Sequence, residues 1–583
     1  MQRSLIFLLF MLGLTEVQAN VFVHLFEWRW NDVAEECENF LGQHDYTAVQ
    51  ISPPNEHRML LGRPWYERYQ PISYRLESRS GSRDELTQMI ARCHGAGVKV
   101  YADVVINHMA SCRPECDRNQ PQFGNAGVAG SIYQPGGYHF ESLFDDGDRF
   151  HVPGSLNAYG PEHFHRNCPA VQDWGNVWQL HNCELEGLAD LATERSDVRA
   201  TLANYLASLF ALGVDGLRID AAKHLPPSDL RAILTMAAQA ANVRIEGTSI
   251  NAQAPKSVVV FQEYIGNPPD PYGAYGNGKV TEFSFGIAQS TAFLNWDGLK
   301  ISQAASLISQ WKMQPSYRVV TFIDNHDNQR GHGGGGKVFA HKGGNGRNYG
   351  IRNYLPAYRL ANIFMLAVPY GYPKVMSSYA FGNGELWDKG NPMQDILSVA
   401  GMQVRDDFLG PPHMGQHKQH LSESDYAAAS AWQTEPIHSP QGGVRCDDED
   451  SIWLCEHRWP AITGMAGFRA ATTPAWRIDH WWDDRGNRLA FARGDKGFIV
   501  INGELFSEQV AFGPEGNGWY YTGLPAGRYC DIVHGSLSED GKRCVAVGGE
   551  TLEPIVVYPD RKARILVGKM DAVAIHVEAR LLE

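Results

Sequence analysis

The chain has 583 residues, 43% of them hydrophobic and 20% charged, with a formal net charge of −14. That length is too great for one hydrophobic core, so two or three domains are expected of a soluble globular protein. The negative charge argues against nucleic acid or an anionic membrane as partner, since both attract cations, and is compatible with a neutral substrate such as a polysaccharide.

Residues 1–19 read as a secretory signal peptide. Arg3 supplies the positive start, Leu5 to Leu14 is an apolar run too short to span a bilayer, and Val17-Gln18-Ala19 is a small-residue cleavage site. The alternative for this segment is a membrane anchor, but no later run is long enough for a membrane helix. A secreted, extracellular protein is therefore expected. Ten cysteines fit an exported, disulfide-bearing chain, and none is spaced with histidines as in a zinc module, although Cys112 and Cys116 are close together.

From Val21 the pattern alternates between short apolar runs and amphipathic stretches. Val21 to Phe26 reads as strand one, Asn31 to His44 as a helix, and Tyr46 to Ile51 as strand two, stopped by Pro53-Pro54. Ser82 followed by Glu85 is a capping box for a helix to His94, which Gly95 and Gly97 end before strand three begins at Val98. From Met109 to Asp190 glycine, proline, asparagine and histidine break every period. So long a structureless loop is uncommon in a compact domain, so this stretch reads as an inserted small domain. Helices over Asp197 to Leu212 and Pro226 to Ala241 lead to strands four and five. Strand six is expected over Lys279 to Phe285, a helix over Leu299 to Met313, another over Asn353 to Leu366, and strand eight near Lys374 to Ser378. After Trp476 the pattern is all-β, with strands at Leu489 to Arg493, Gly497 to Asn502, Gly527 to Val533, Ile555 to Tyr558 and Ala572 to Val577, suggesting a Greek-key sandwich.

Four of the apolar runs carry acids. Leu217 and Ile219 alternate with Arg218 and Asp220, which puts the charged pair on one strand face. Burying such a pair is costly, so either a structural ion pair or a functional site is implied. The same pattern recurs in Val98 to His108 with Asp103, in Val258 to Glu263, and in Arg318 to Asp327 with Asn325 and His326. Acids at the carboxyl ends of several strands are what the active site of a (β/α)8 barrel needs.

These four segments resemble the four signature regions of the α-amylase family of glycoside hydrolases. His24-Leu25-Phe26-Glu27-Trp28, Ser52-Pro53-Pro54-Asn55-Glu56, Trp65-Tyr66-Glu67-Arg68-Tyr69-Gln70-Pro71, Asp324 to His332 and Val375-Met376-Ser377-Ser378-Tyr379 are similar to the chloride-dependent, animal-type members, from about Val21 to the chain end. The fold class implied is α/β: a (β/α)8 TIM barrel (20–108 and 191–475) with an inserted domain (109–190) after strand three and a C-terminal all-β Greek-key domain (476–583). The resemblance also implies the pairs Cys37–Cys93, Cys168–Cys183, Cys446–Cys455 and Cys530–Cys544. It leaves the pairing of Cys112 and Cys116 open: family members pair a cysteine near here with a more distant one, and a local Cys112–Cys116 bridge is the alternative expected here.

The resemblance makes Asp220 the nucleophile, Glu263 the general acid/base and Asp327 the stabiliser of the distorted sugar in a retaining, endo-acting cleavage of α-1,4-glucans such as starch or glycogen. Arg218 beside Asp220 favours the ionised nucleophile. His108 and His326 would bond sugar hydroxyls, with Lys223, His224 and His332 as further contacts. Trp65, Tyr66 and Tyr69, with Gln70, are either core aromatics or a stacking floor for glucose rings; the family uses such a cluster as a floor. A structural calcium is implied at the Asn107 and Asp190 side chains and the His181 and His224 carbonyls. A chloride activator is implied at Arg218, Asn325 and Lys374, where lysine replaces the usual arginine and supplies a point charge rather than a fork. Gly331-His332-Gly333-Gly334-Gly335-Gly336-Lys337 fits the start of a phosphate loop. Val338 stands where serine or threonine must bind magnesium, so a substrate-side loop is the better reading. The expected partner is polysaccharide, not nucleic acid or membrane, and the expected state is a monomer. Transglycosylation or exo-action on the same barrel, and a non-catalytic binding barrel, are the competing functions. Retention of all three acids counts against the last.

Overall fold

The computed structural model describes residues 21–60, 65–111, 122–134, 138–145, 152–268, 270–330, 333–334, 354–378, 446, 453–505 and 511–582. The expected signal peptide (1–19), Cys112, Cys116, His332 and most of the glycine-rich loop lie outside these residues.

Eight parallel strands close on themselves: β1 (Phe22–Leu25), β2 (Ala48–Ile51), β3 (Lys99–Val104), β4 (Gly216–Ile219), β5 (Lys256–Gln262), β6 (Lys279–Thr281), β7 (Val319–Thr321) and β8 (Tyr372–Ser377). The ring is completed by β1 pairing with β8 and β4 with β5. A short strand, Val243–Ile245, flanks β5 outside the ring. Strand alternation sends every second residue inward. At the base of the barrel these are Phe22, Ala48, Tyr101, Phe261, Val320 and Tyr372, an apolar plug in which Phe22 and Tyr372 pack ring to ring at 4.6 Å. One step further up, the inward positions become Asp103, Arg218, Glu263 and Lys374. The polar site therefore sits on a packed floor at the carboxyl ends of the strands, as barrel enzymes require.

The helices follow from local chemistry. Ser82 caps Arg83–Gly95: its hydroxyl accepts from the Glu85 amide while the Glu85 carboxylate accepts from the Ser82 amide at 2.8 Å. The helix Ser196–Leu212 ends at Gly213, which takes φ +115°, a conformation that costs glycine little. Three expectations need correction. The helix expected from Asn31 to His44 is Trp30–Asn39 followed by a 3-10 turn, Leu41–Gln43. Strand six stops at Thr281, because Glu282 caps a helix, Phe283–Phe293, whose alternating Phe-Ser-Phe start mimics a strand. The helix expected over Leu299 to Met313 breaks into Ile301–Gln303 and Ser306–Gln310.

Between β3 and β4 the chain leaves the barrel. His108–Ser111 pairs antiparallel with Leu188–Asp190, so the excursion starts and ends on one two-stranded ribbon. Cys168–Cys183 ties it internally. The bridges Cys37–Cys93, Cys446–Cys455 and Cys530–Cys544 are also formed.

The C-terminal region is a sandwich. One sheet, of Asp479–Asp483, Arg488–Arg493, Gly497–Asn502 and Asp571–His576, turns Leu489, Phe491, Ile499, Ile501 and Ala574 toward the helices of the barrel. Its other face, with Ala490, Phe498, Val500 and Ile575, packs on Tyr520, Val557 and Ala563 of a second sheet formed by Trp519–Tyr521, Lys562–Arg564, Ile555–Val557 and Gly527–Tyr529. The order is thus barrel, first sheet, second sheet, solvent.

Candidate active site

Arg218 is the hub. Parallel pairing of β4 with β3 sets Arg218 opposite Asp103. Nη1 of Arg218 donates to Asp103 Oδ1 at 2.8 Å and to Asp220 Oδ1 at 2.7 Å, and Nη2 lies 2.6 Å from Glu263 Oε1. One guanidinium therefore gathers carboxyls from three strands, in the forked geometry that lysine cannot supply. Glu263 Oε2 also accepts from the Ala221 amide at 2.9 Å. Ala221 holds a left-handed φ of 47°, a strained conformation for a residue with a Cβ. Asp103 is fully buried, whereas Asp220 and Glu263 keep edges open to solvent, so the pair facing the cleft is these two. Burial pushes the Asp220 carboxyl above the usual range; Arg218 opposes this, and Glu263, Asp103 and Asp327 add to it. Burial likewise pushes the Asp103 carboxyl up, with Arg218 opposing it.

The rim is aromatic. The 3-10 turn Trp65–Tyr69 turns Glu67 and Arg68 into a buried ion network: Arg79 bonds Glu67 at 2.7 Å and Glu27 at 2.5 Å, and Arg68 donates to Ser80, Ser78 and the Pro53 carbonyl. That anchorage aims Tyr69 at the site, where its hydroxyl donates to Asp103 Oδ2 at 3.0 Å. Tyr69 stacks on His326 at 5.1 Å with the rings 9° apart, Phe26 stacks on the same ring, and Trp65 meets it edge-on at 5.4 Å. His326 Nε2 in turn lies 3.5 Å from Asp327 Oδ2. Trp65 and Tyr69 are buried and Tyr66 is half-buried. Gln70 is buried with its carbonyl accepting from Arg58 and the Ser111 amide.

The remaining expected residues divide between this rim and the barrel–insertion junction. His108 Nε2 donates to the Tyr69 carbonyl at 3.0 Å, and burial pushes this histidine down to about 4, so it is neutral. His224 is likewise pushed down to about 4; its Nδ1 donates to the Leu180 carbonyl and its ring meets Trp174 edge-on. Lys223 donates to the Ile265 carbonyl at 3.0 Å. At the junction, Asn107 Nδ2 lies 3.4 Å from Asp190 Oδ1, whose second oxygen meets His165 at 2.7 Å. Burial pushes Asp190 up to about 7. His181 lies on the short helix Val177–Asn182 that packs on the 3-10 turn bearing His224. Among the described residues no group of three or more His, Cys, Asp or Glu is arranged for a metal ion.

Behind the acids, Lys374 is buried with its ammonium 4.8 Å from the centre of the Phe322 ring. No hydrogen-bond or ion-pair partner for it occurs among the described residues. Burial pushes it down to about 8, and the nearby Arg218 adds to the effect. Asn325 accepts from the Asn328 amide at 2.8 Å. Asp103 and Tyr69 acquire partners that sequence reading did not give them. The inward parity of Asp103 in strand three, matching that of Arg218 in strand four, was the available signal.

Residues 65–339 match the family described as alpha amylase, catalytic domain, and residues 479–578 match alpha amylase, C-terminal all-beta domain. An alpha-amylase of Pecten maximus is 37% identical over 535 residues, 90% of this chain and 86% of the relative. The chain belongs to the alpha-amylase family. The pancreatic alpha-amylase 2a5 of Mus musculus is 34% identical over 93% of this chain and 94% of its own length. The wild-type alpha-amylase I of Eisenia fetida superposes with a TM-score of 0.70 at 30% identity, covering 96% of this chain and 97% of that one, and a variant of it is known in complex with maltohexaose. As a member of this family, the protein is a glycoside hydrolase of the alpha-amylase type.

Proposed function

We propose that the protein is a secreted, endo-acting α-amylase that cleaves internal α-1,4 bonds of starch or glycogen with retention of configuration. The observation that carries this reading is the convergence of Asp220 and Glu263 on the two terminal nitrogens of Arg218. A retaining enzyme keeps its two carboxyls about 5 Å apart, and sharing one guanidinium holds them at that order of separation.

In this reading Asp220 attacks the anomeric carbon and forms a glycosyl ester, with Arg218 stabilising its ionised form. Glu263 donates a proton to the departing glycosidic oxygen, then takes one from the water that opens the ester. Asp327, backed by His326, binds the hydroxyls of the distorted ring. Neutral His108 and His224 bond sugar hydroxyls with Lys223 and His332, and the Trp65–Gln70 segment lines the cleft. The barrel (20–108 and 191–475), insertion (109–190) and C-terminal sandwich (476–583) divide the mature chain.

A calcium ion fits the junction between barrel and insertion. Asp190 is a buried carboxyl whose ionisation burial opposes, and a hard cation would relieve that cost. The Asn107 and Asp190 side chains with the His181 and His224 carbonyls would hold it, supplying a structural tie. A chloride ion would sit beside Lys374, a buried ammonium with no hydrogen-bond or ion-pair partner among the described residues, with Arg218 and Asn325 completing the site. The polysaccharide substrate implies no other partner, and the protein is read as a monomer.

Starch hydrolysis by the parent and by Glu263→Gln tests the assignment. Loss of the acid should lower the rate on the order of 10³-fold or more; a variant within tenfold of the parent refutes it.

A further inference from the structure

The outward side of the second sandwich sheet carries aromatic rings on the face turned away from the barrel. Strand alternation buries Tyr520 between the sheets and turns its neighbours Trp519 and Tyr521 outward. The Trp519 ring packs against Tyr558 at 5.6 Å, and the Tyr521 ring against His480 at 4.6 Å. Tyr521 is 40% exposed and Tyr558 48%. Residues i and i+2 of a strand are about 7 Å apart on one face, so the two ring pairs stand side by side in a row on the outward face of the sandwich. Antiparallel pairing sets Arg564 opposite Trp519 and Lys562 opposite Tyr521, which gives the row hydrogen-bond donors beside its ring faces.

We propose that this row is a second carbohydrate-binding site that takes a single α-1,4-glucan strand, separate from the cleavage cleft. This rests on the reading of the substrate as starch or glycogen. Exposed clustered aromatics mark a binding surface. Rings of Trp and Tyr offer flat apolar faces with a polar handle, suited to a pyranose, whose two faces are C–H surfaces bordered by hydroxyls. The partner is neutral. Lys562 has Glu515 at 3.9 Å, and the net charge of −14 repels a polyanion. The substrate is also a polymer far longer than any cleft, so strands held at a distance would raise its concentration at the acids.

The test is adsorption of the full chain to raw starch granules, measured in a Glu263→Gln background so that the ligand survives. Replacing Trp519 and Tyr558 together by alanine should weaken adsorption about tenfold or more, the loss of two ring contacts. With Glu263 intact, the same pair should slow granule digestion while leaving kcat/KM on maltoheptaose within about twofold. Trp519→Phe, which keeps a ring on the same fold, should retain adsorption. Unchanged adsorption by the double variant overturns the proposal. So does preferential capture of the parent by heparin, or a dimer in gel filtration that the double variant splits. A parent that fails on soluble starch would refute the proposed function itself; a parent that digests soluble starch but adsorbs independently of these rings refutes only this site.

Discussion

Arg218→Gln removes the one cation shared by Asp103, Asp220 and Glu263. At an effective dielectric of about 20 and roughly 4 Å between charge centres, each lost attraction is worth about 4 kcal/mol before relaxation. Buried ion pairs broken from one side cost about 3–5 kcal/mol in stability. Burial already pushes Asp220 up, and Arg218 is what opposes it, so the carboxyl rises further in the variant. One unit of pKa is about 1.4 kcal/mol, so the acid limb of kcat/KM against pH should move upward by about one to three units, and the rate at pH 7 should fall about 10²-fold or more. A carboxyl raised in the folded state stabilises the fold at low pH and loses that contribution as pH rises through its folded value. The variant should therefore lie nearer the parent in Tm at pH 5 than at pH 8. Arg218→Lys restores the charge without the fork and should recover the acid limb but only part of the rate. A glutamine variant with the parental pH profile, or with equal Tm loss at both pH values, would refute the reasoning.

Four further outcomes follow from the same geometry. His534 sits between Asp531 at 2.5 Å and Asp571 at 3.0 Å, with Arg359 of the barrel on Asp571, and is pushed up to about 10, chiefly by its bond to Asp531. Its stabilisation is complete below the ordinary histidine value and is lost as pH rises through 10. His534→Gln should cost on the order of 1 kcal/mol at pH 6, discounted for partial exposure, and nothing at pH 11; a gap in Tm that persists at pH 11 contradicts this. Gly464 lies where the helix Pro460–Thr472 meets the sandwich, and a Cβ there would strike the Ile532 carbonyl, so Gly464→Ala should cost about 1–3 kcal/mol in thermal unfolding. Chelation of calcium should lower Tm and speed proteolytic nicking within 109–190; an unchanged digest counts against a metal there. Activity in halide-free buffer should rise when chloride is added, and Lys374→Met should abolish the response; equal rates with and without chloride exclude an anion at Lys374.

Much of this molecule was legible in its residues because the barrel repeats one rule: an apolar strand, then an acid at its end. Val98 to His108 and Gly216 to Asp220 follow that rule, and both appear as strands with their acids inward. The errors fall where two periods overlap. Phe283-Ser284-Phe285 alternates like a strand yet begins a helix that is apolar on nearly every side, so no stripe distinguished it. Leu299 to Met313 has helical spacing but breaks between two short turns, a tertiary choice that spacing does not encode. The strand-end acids were visible individually; that Arg218 would join three of them was not, because register between β3, β4 and β5 is set only when the ring closes.

That closure has a consequence for how the enzyme comes into being. The hub draws Asp103 from β3, Arg218 from β4 and Glu263 from the end of β5, while Lys374 arrives on β8, more than a hundred residues later. A growing chain halted before residue 372 would hold every acid yet lack the strand that seals β1 to β7. Any C-terminal truncation that removes β8 should therefore abolish starch clearing, although all three acids remain in the chain.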